Sequence, residues 1–454
     1  MNRKPSFLGR SVFTILSTWS LFHNAIVSAD LPTTKLSNGI DFPLVGLGVG
    51  NLQHELIESQ ISHGLSTKMN YRMLDTAHAS HNENIIHTGI EQGLSSYAAS
   101  LQDSTDGANS TVHVITKVWY THLGYERTKI SVKESLEQLN SPNISVHLLI
   151  HWPRCRDDVP WMDCEAEENL LPQYVKDAGP PPHLDKDHAY LESWRALEDI
   201  YMGKVKLGTD LPLITSIGIS NFDLPEIKEL IVHSRIVPHM MQGNSWSYVF
   251  DPDLIYFLYR RKIHFQVYNV MNGIYERSGE TPLAFRALGD IARALSAFAK
   301  TEHGRDIRYT EAQILLKWFT QNKVSVIPRT RSLDHLEENS PEAVGSMPHL
   351  TPEEEEQVSA IVRSMFEGHD FDQPQASFIN AASEKVHLFW KDLDGMEHPV
   401  RTDLEDGDVF DTATHTGHVF VAYDDSQLKR KEFQVTATYN QVEEIHIGEL
   451  LEEL

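Results

Sequence analysis

The chain has 454 residues, of which 41% are hydrophobic and 9% aromatic. That length and composition suffice for a large core and for two domains. Acidic residues outnumber basic ones by 64 to 39, which gives a formal charge of −25. So acidic a chain argues against binding nucleic acid or an anionic membrane surface as its main task.

The amino terminus has the pattern of a secretory signal peptide. Basic residues lie within the first ten positions, the apolar stretch SVFTILSTWSLF (11–22) follows, and small residues occupy positions 25–29. This order predicts a signal peptide over residues 1–29, and hence a secretory-pathway or extracellular protein. A buried amino-terminal helix is the alternative. The apolar stretch is shorter than the roughly 20 residues that span a bilayer, and we predict no membrane span in the mature chain.

From about Leu36 to Asn339, apolar strand-like runs alternate with amphipathic helical stretches. The Asn38-Gly39 pair predicts a hairpin turn before the first run. The eight strand candidates are FPLVGLG (42–48), YRMLD (71–75), VHVITK (112–117), VHLLIH (146–151), ITSIGIS (214–220), HMMQGN (239–244), IHFQVY (263–268) and VSVIPR (324–329). Eight apolar strands alternating with helices are typical of a parallel (β/α)8 or TIM barrel, an α/β fold that we assign to residues 30–366.

Residues 154–188 interrupt this alternation just after the fourth strand. The segment is rich in proline and acidic residues and has no helical or strand periodicity. It contains the two cysteines of the chain, Cys155 and Cys164, which in a secretory lumen form a disulfide or else remain a packed thiol pair. Its place after a strand puts it on the face where barrels carry their active-site loops.

A second domain is predicted at the carboxyl end. After a capped helix at 350–366, the sequence EGHDFDQPQ indicates a linker. Beyond it the hydrophobic period changes to two in KVHLFW, HVFVAY and EFQVTATY, with a hairpin turn at Asp394-Gly395. We therefore predict a small all-β sandwich domain over residues 375–454.

Seven of the strand candidates carry a polar side chain at or next to their carboxyl end. These residues are Asp75, Lys117, His151, Ser220-Asn221, Gln242, Tyr268 and Arg329. Strand ends face solvent, and this explains why polar residues occur there. It does not explain why an acid, a lysine and a histidine end three adjacent strands. Because the carboxyl ends of barrel strands converge on one mouth, we expect an active site there.

The motifs that contain these residues resemble, in order, those of the aldo-keto reductases over about residues 36–345. They are YRMLDTAHASHNE, ITKVWYTHLGYE, LLIHWP, SIGISNF and VIPRTRSLDHLEEN. The resemblance implies a TIM barrel and reversible hydride transfer between NADPH and a carbonyl group. Asp75, Lys117 and His151 match three of the family's four catalytic residues. An acid stabilises the charge of a neighbouring lysine, and that cation lowers the pKa of a nearby phenol, which then protonates the carbonyl oxygen.

Ser80 occupies the position of the fourth catalytic residue, a tyrosine in the family. A serine hydroxyl is a far poorer acid than a phenol and reaches less far. Loss of one general acid typically costs about 10²–10⁴ in rate. His78, His81 or His151 are alternative proton donors, since imidazole titrates near neutrality.

The same stretch offers a set of side chains that could bind a metal. The set is His78, His81, Glu83 and His87. Its spacing matches no recognised ligand pattern, so we predict no metal site.

The nicotinamide side of the family's cofactor site is matched by four residues. Ser220, Asn221 and Gln242 match the side chains that bind the nicotinamide amide, and Tyr268 matches the aromatic ring that stacks on it. Val49-Gly50 departs from the family's usual threonine and aromatic residue near the nicotinamide.

The adenosine side of the family's cofactor site is matched by residues at and after the end of the last strand. Arg329 and Thr330 match the contacts to the 2′-phosphate, and a phosphate monoester suits the closely spaced arginines of this strand end. Glu338 and Asn339 match the adenine contacts. The resemblance therefore implies NADP(H) as the cofactor.

The tail has a resemblance of its own. The residues FIN…VHLFWKDLDG…GHVFVAYD, over about 378–425, are similar to the β domain of the von Hippel–Lindau tumour suppressor. That resemblance implies a hydroxyproline-peptide partner, with His418 and Thr414 in its pocket. The family's tyrosine and tryptophan fall at Val400 and Phe420. A purely structural appendage is the alternative.

These features together predict an NADP(H)-dependent oxidoreductase that reduces a small-molecule aldehyde or ketone to an alcohol. The alternative is a catalytically silent protein that binds NADP(H) or a partner. Ser80 favours the silent protein, whereas the retained Asp75, Lys117 and His151 favour the enzyme.

Overall fold

The computed structural model describes residues 31–100, 111–156, 159–208, 210–212, 214–271, 278–368, 375–382, 384–392, 395–414, 418–426, 429–435, 441–445 and 451–452. The predicted signal peptide at 1–29 lies outside these residues. Among them, no helix combines the length and the apolar character needed to cross a membrane. The chain divides into two compact units, one over 1–243, 256–268 and 316–351, the other over 244–255, 269–315 and 352–454. The predicted domain boundary at 366–375 stays a prediction.

Strands and helices alternate up to residue 367, and the regular elements described beyond it are strands. The strands are β1 (Thr33–Lys35), β2 (Asp41–Pro43), β3 (Leu47–Gly48), β4 (Met73–Asp75), β5 (Val112–Val118), β6 (Ile144–Ile150), β7 (Ile214–Ser220), β8 (Met240–Asn244), β9 (His264–Tyr268), β10 (Ser325–Val326), β11 (Gln375–Asn380), β12 (Val386–Lys391), β13 (Glu397–Leu404), β14 (Val409–Ala413), β15 (Val419–Asp424), β16 (Lys429–Gln434), β17 (Gln441–Ile445) and β18 (Leu451–Glu452). The helices are α1 (His54–Gly64), α2 (Glu83–Ser100), α3 (Tyr125–Gln138), α4 (Cys164–Leu170), α5 (Gln173–Lys176), α6 (Ala189–Tyr201), α7 (Leu224–His233), α8 (Ser245–Phe250), α9 (Pro252–Arg261), α10 (Pro282–His303), α11 (Glu311–Gln321), α12 (Leu333–Glu338), α13 (Pro341–Gly345) and α14 (Pro352–Glu367). Short 3₁₀ turns lie at His78–Ser80, Tyr120–His122 and Pro182–Leu184.

The first unit is built on a closed parallel barrel. β3 to β10 form one sheet in which each strand pairs with its neighbours in sequence. The sheet closes because Val326 N donates to Leu44 O at 2.8 Å and Gly46 N donates to Val326 O at 2.9 Å. β5 is buried along its whole length, which explains its continuous apolar sequence. The predicted (β/α)8 barrel is confirmed.

The first predicted strand, residues 42–48, is divided in the structure. β2 pairs antiparallel with β1 across a turn in which Gly39 has a φ of 87°, as the Asn38-Gly39 pair predicts. Within the barrel sheet only Leu47–Gly48 pairs with β4. The division falls after Pro43, which has no N–H to donate to a continued ladder.

Phe42 fills the base of the barrel, toward the amino ends of its strands. Its buried ring contacts His113, His147 and His264, with ring centroids 5.8, 5.2 and 5.6 Å away. We call these three the base histidines. Burial lowers the pKa of His113 and of His264 to about 4 and lowers that of His147 well below its usual value. All three are therefore neutral in the fold near neutral pH.

Residues 154–188, the inserted segment, contain regular structure that the sequence does not predict. The short helices α4 and α5 lie there, and Asp163 caps α4 by accepting a hydrogen bond from Ala166 N at 3.0 Å. A disulfide joins Cys155 and Cys164, so the alternative of a packed thiol pair is wrong.

Arg127 on α3 anchors the inserted segment. Its Nη1 and Nη2 donate to the two carboxylate oxygens of Glu168 at 2.8 and 2.9 Å. Nε and Nη2 donate to Gly179 O at 3.1 and 2.8 Å, and Nη1 donates to Thr121 O at 3.0 Å. All five guanidinium hydrogens therefore have acceptors, although Arg127 is only 1% exposed.

The second unit contains helices and a β sandwich. α14 packs against α8 and α10. β14, β11 and β17 form one sheet, and β13, β12, β15, β16 and β18 form another. Side chains of both sheets, among them Phe378, Phe420 and Phe433, form one apolar core. The predicted all-β fold is confirmed. Gly395 has a φ of 82°, as the predicted turn requires, while Asp394 lies outside the described residues.

Candidate active site

Asp75 and Lys117 form a buried ion pair at the carboxyl ends of β4 and β5. Lys117 Nζ donates to both oxygens of Asp75, at 2.8 and 2.9 Å, and to Thr76 O at 2.6 Å. The two strands pair in parallel register, which brings their ends together. The pair predicted from the sequence is therefore present, and all three ammonium hydrogens are directed at acceptors of the protein.

Gln242 joins this pair from β8. Its Nε2 donates to Asp75 Oδ1 at 2.6 Å and to Gln266 Oε1 at 2.7 Å. Gln266 is fully buried and was not among the predicted site residues. The resemblance assigns Gln242 to the nicotinamide amide, but in the structure its amide hydrogens are used by Asp75 and Gln266.

His151 lies next to the ion pair, at the end of the fourth barrel strand. Its N donates to Val118 O at 3.0 Å, and the ring of Trp119 lies edge-on with its centroid 4.8 Å away. Burial, and secondarily the charge of Lys117, lower the pKa of His151 well below its usual value. His151 is thus a neutral imidazole near pH 7, which suits a hydrogen-bond donor better than a stored proton. In the described part of the chain, its buried Nδ1 has no hydrogen-bond partner.

Ser80 ends the 3₁₀ turn that follows β4. Its N donates to Ala77 O at 2.9 Å, and its side chain faces the loop after β3. A Cβ added at Gly50 would lie 3.2 Å from Ser80 Oγ. Ser80 therefore faces a residue without a side chain, and the two loops approach each other closely at this point.

Ser220, Asn221 and Tyr268 are connected by hydrogen bonds. Tyr268 OH donates to Asn221 Oδ1 at 2.5 Å, and Asn221 Nδ2 donates to Ser220 Oγ at 3.1 Å and to His151 O at 2.9 Å. Asn221 has a φ of 61°, in the left-handed region that asparagine tolerates better than most residues. The structure therefore brings three predicted cofactor residues together beside His151.

Arg329 and Thr330 follow β10 at the rim of the barrel. Arg329 is exposed, and its Nη1 donates to Asn51 O at 3.4 Å. Thr330 Oγ1 accepts a hydrogen bond from Ser332 N at 3.0 Å. Within the ranges that the structure describes, neither Arg329 nor the exposed Arg331 forms an ion pair. Two uncompensated cations in so acidic a chain fit a phosphate group.

Glu338 and Asn339 lie at the end of α12. Asn339 is 6% exposed, and its Oδ1 is buried without a hydrogen-bond partner among the described residues. Buried polar atoms are rarely unpaired, so this carbonyl oxygen fits a ligand donor such as an adenine amino group. The residues present thus fit a dinucleotide on both its nicotinamide and its adenosine sides.

The histidines near Ser80 face a different neighbour. His78 Nε2 lies 2.8 Å from Glu134 Oε2 on α3, and the His78 ring is edge-on to those of His81 and His122. Burial lowers the pKa of His122 to about 3, and the bond to His78 is the main cause that lowers the pKa of Glu134. In the part of the chain that the structure describes, His78 therefore pairs with Glu134 and these rings rather than with Asp75 and Lys117.

Three polar side chains gather in the β sandwich. Thr414 Oγ1 and His418 Nδ1 are 3.2 Å apart, and the ring centroids of Trp390 and His418 are 5.5 Å apart. Trp390 Nε1 is buried and, among the residues with a described structure, unpaired. Val400 is 37% exposed on β13, whereas Phe420 belongs to the sandwich core.

A family model described as the Aldo/keto reductase family matches residues 61–363, more than half of the chain. The chain belongs to the aldo/keto reductase family. The NAD(P)H-dependent D-xylose reductase I,II of Candida tropicalis is 26% identical over 310 residues, which cover 68% of this chain and 86% of the relative. The NADPH-dependent aldose reductase GRE3 of Saccharomyces cerevisiae is 26% identical over 310 residues, covering 66% and 85%.

Solved aldo/keto reductase structures share the fold. An aldo-keto reductase of Bombyx mori in complex with NADP matches with a TM-score of 0.52 at 20% identity, over 75% of this chain and 94% of that one. The aldose reductase of Schistosoma japonicum matches with a TM-score of 0.51 at 22% identity, over 74% and 96%. At such identities the likeness establishes the fold alone.

Several residues in and around this aldo/keto reductase site are not predicted from the sequence. Gln266 lies in the interior of a strand, and its signal was a polar residue inside an apolar run. Thr76 contributes a backbone carbonyl, which no sequence pattern identifies. His122 and Glu134 are separated from His78 by 44 and 56 positions. Glu83, which the sequence groups with His78, instead accepts a hydrogen bond from Thr116 Oγ1 at 2.6 Å.

Proposed function

We propose that the chain reduces a small-molecule aldehyde or ketone to an alcohol with NADP(H) as cofactor. The buried Asp75–Lys117 ion pair at the barrel mouth is the observation that carries the proposal. Burying two charges costs free energy even when they are paired, so such a pair contributes little to stability and favours a functional role. His151 lies beside the pair, and Asn221 links its backbone oxygen to Ser220 and Tyr268, the residues that match the family's nicotinamide contacts.

The cofactor would be bound along the carboxyl ends of β7 to β10. When bound, the reduced nicotinamide supplies the hydride. The preference for NADP(H) over NAD(H) rests on Arg329 and Arg331, exposed cations that suit a 2′-phosphate and form no ion pair with any residue of described structure. Because the amide hydrogens of Gln242 are already used, it would contact the cofactor through its side-chain oxygen. The proposed contacts are Ser220, Asn221 and Gln242 to the amide, Tyr268 to the ring, Arg329 and Thr330 to the phosphate, and Glu338 and Asn339 to the adenine.

The protein supplies orientation and a proton. We expect neutral His151 to donate a hydrogen bond to the carbonyl oxygen and so to orient it. Lys117 favours the negative charge that develops on that oxygen, because it is a buried cation nearby. Ser80 then gives its hydroxyl proton to the oxygen and regains one from solvent. Since serine is a weak acid, this step should be slow, by about 10²–10⁴ relative to a phenol.

A second candidate is a protein that binds NADP(H) without turnover. The observation that favours it is the hydrogen bonding of Lys117, whose three ammonium hydrogens are already used by Asp75 and Thr76. A lysine in that state has no hydrogen directed at a proton donor or a substrate.

The two candidates are separated by NADPH oxidation with the purified chain. A panel of aliphatic, aromatic and sugar aldehydes is assayed at saturating NADPH, and NADPH binding is measured in parallel by protein fluorescence. Aldehyde-dependent oxidation supports the reductase. Tight NADPH binding with no oxidation of any aldehyde supports the silent binding protein, and absence of NADPH binding contradicts both.

The carboxyl-terminal domain is proposed to bind a peptide that contains a hydroxyproline. The support is the group of Trp390, Thr414 and His418, in which the imidazole contacts both the indole ring and the hydroxyl. The buried indole N–H has no hydrogen-bond partner among the described residues. Paired peptides with proline and with hydroxyproline, titrated against the full chain, test this. Equal binding of the two, or none, leaves the domain a structural appendage.

Entry into the secretory pathway is also a proposal. It rests on the charge and apolar pattern of residues 1–29 and is supported by the Cys155–Cys164 disulfide, since disulfides persist mainly in oxidising compartments. Expression of the full chain in a eukaryotic cell, followed by amino-terminal sequencing of the secreted protein, tests it. We expect a new terminus near Asp30.

A further inference from the structure

A cavity of about 640 Å³ lies beside the barrel mouth. The 3₁₀ turns after β4 and β5 line one side of it, and α3 and the inserted segment line the others. The cavity therefore exists because the inserted segment covers these loops. The ion pair of Asp75 and Lys117 is not among its lining residues.

His78, His122 and Glu134 meet in this cavity. One nitrogen of each imidazole and one carboxylate oxygen all lie within 4.8 Å of one another. His78 and His122 are 8% and 6% exposed, and their ring centroids are 4.9 Å apart. An ordinary histidine–glutamate pair contains one imidazole, whereas two imidazoles meet one carboxylate here.

We propose that His78, His122 and Glu134 bind a divalent transition-metal ion, and that Zn²⁺ fits them best. Two histidines and one glutamate are a known set for zinc sites in which three protein ligands leave one position open. With bonds of about 2.0–2.1 Å, the ligand atoms of a tetrahedral site are about 3.3 Å apart. Side-chain movements of about 1 Å are therefore enough to close the present arrangement around an ion.

Contacts behind the three ligands orient them for this task. Tyr174 OH, from the inserted segment, donates to Glu134 Oε1 at 2.6 Å, which leaves Oε2 toward His78. Thr121 Oγ1 lies 3.1 Å from His122 Nδ1, which leaves Nε2 as the ligand atom. Zinc-binding histidines and carboxylates are usually oriented by such outer hydrogen bonds.

The open position faces the cavity. His81 also lines the cavity, and its ring centroid lies 6.0 Å from that of His78. Its exposed side chain can supply a fourth ligand, and water is the other choice. Because His78 begins the 3₁₀ turn that ends at Ser80, a bound ion would also fix the turn that carries this residue.

The test is zinc binding by the full, tag-free chain after treatment with a chelator. Metal content and competition with a chromophoric chelator give the stoichiometry and affinity, and Co²⁺ in place of Zn²⁺ reports the geometry by its visible absorption. We expect one Zn²⁺ per chain and the intense absorption of four- or five-coordinate Co²⁺. We also expect Zn²⁺ to raise the melting temperature, because it binds only the folded chain.

The variants His122→Gln and Glu134→Gln identify the site. Each removes one ligand while keeping a similar shape, and we expect each to weaken zinc binding by about 100-fold or more. His188→Gln is the matched control, because His188 also pairs with a carboxylate, that of Asp185 at 2.8 Å, but is exposed. Circular dichroism and the melting temperature of the metal-free proteins verify that the variants are folded. No zinc bound by the wild type, or equal affinity in the wild type and both variants, overturns the proposal.

Discussion

The ammonium group of Lys117 donates to both carboxylate oxygens of Asp75, at 2.8 and 2.9 Å. Its third hydrogen goes to the backbone oxygen of Thr76 at 2.6 Å rather than to a side chain. In an aldo/keto reductase with a catalytic tyrosine, the lysine would have a phenol to act on, and in this chain position 80 is a serine. The charged pair is present, but the acid that it would tune is not.

Restoring that acid should raise the rate. We expect Ser80→Tyr to increase carbonyl reduction by at least about tenfold, because Lys117 can lower the pKa of a phenol placed next to it. Gly50, which faces Ser80 Oγ, has no side chain that the new ring would have to displace. The measurement is kcat for NADPH oxidation with the best aldehyde of the panel.

Ser80→Phe is the control for Ser80→Tyr, because it has the same ring without the hydroxyl. It should not gain activity, while both variants should bind NADPH about as tightly as the wild type. An equal gain in Ser80→Phe would show that the ring, not the proton, matters. A Ser80→Tyr protein that binds NADPH but turns over no aldehyde would support the silent binding protein.

Arg329 should determine the choice of cofactor. We expect Arg329→Ala to weaken NADPH binding by about 10- to 100-fold and to leave NADH binding nearly unchanged, because a charge-assisted hydrogen bond contributes about 1.5–3 kcal/mol. Fluorescence titration with both cofactors measures this. Arg260→Ala removes an exposed arginine of α9 and should change neither affinity. A parallel loss of NADPH and NADH binding in Arg329→Ala would contradict the assignment.

The base histidines should make the fold sensitive to acid. The folded-state pKa of His113 is about 4, below its ordinary value of 6.5, because burial opposes its charge. Above pH 6.5 both the folded and the unfolded states are neutral at this residue, and between pH 6.5 and 4 only the unfolded state takes up the proton. Stability is therefore lost as the pH falls through that window, by about 3 kcal/mol for His113.

The measurement is the free energy of unfolding in urea at several pH values between 4 and 7. His113→Gln should reduce the dependence on pH, even where it lowers stability at pH 7. His63→Gln, which removes an exposed histidine, should leave the dependence as it is. If His113→Gln and the wild type lose stability in parallel, the buried imidazole is not the cause.

The ion pair of Arg127 and Glu168 gives a prediction about stability. Arg127→Met should lower the free energy of unfolding by about 3–5 kcal/mol, because it leaves the buried carboxylate of Glu168 unpaired. Arg127→Met with Glu168→Leu should recover much of that loss. Lys129→Ala, which breaks an exposed pair with Glu126, should change stability by about 1 kcal/mol or less. A double variant as unstable as Arg127→Met alone would mean that the backbone contacts of Arg127, not the charge pair, dominate.

The barrel and the meeting of Asp75 with Lys117 could be predicted from the sequence, because both follow from local patterns. Apolar runs predict strands, and the ends of parallel strands must converge. The hydrogen bonds of Gln242 could not be predicted, because its partners Asp75 and Gln266 lie on strands that are distant in sequence. The spacing of chain positions also gave no signal for Glu134, which reaches His78 only through the packing of α3 against the barrel loops.

The structure of the inserted segment also could not be predicted from the sequence. Its composition gives no periodicity, yet Asp163 caps a helix in it and the disulfide joins Cys155 to Cys164. Short helices of this kind depend on caps and tertiary contacts more than on hydrophobic pattern. Asp163 and the two cysteines are evident in the sequence. Whether they form a helix cap and a disulfide depends on what the segment packs against.

Four of the five hydrogen bonds of Arg127 join it to the inserted segment and therefore oppose movement of that segment away from the barrel. Active-site loops that act as lids open readily because few buried groups resist their movement. In this chain, opening would separate a buried guanidinium from Glu168 and Gly179. A hydrogen bond to a charged group contributes about 1.5–3 kcal/mol, so these bonds favour the closed position. We therefore expect the segment to stay in place as a wall of the barrel mouth while substrates are exchanged past it.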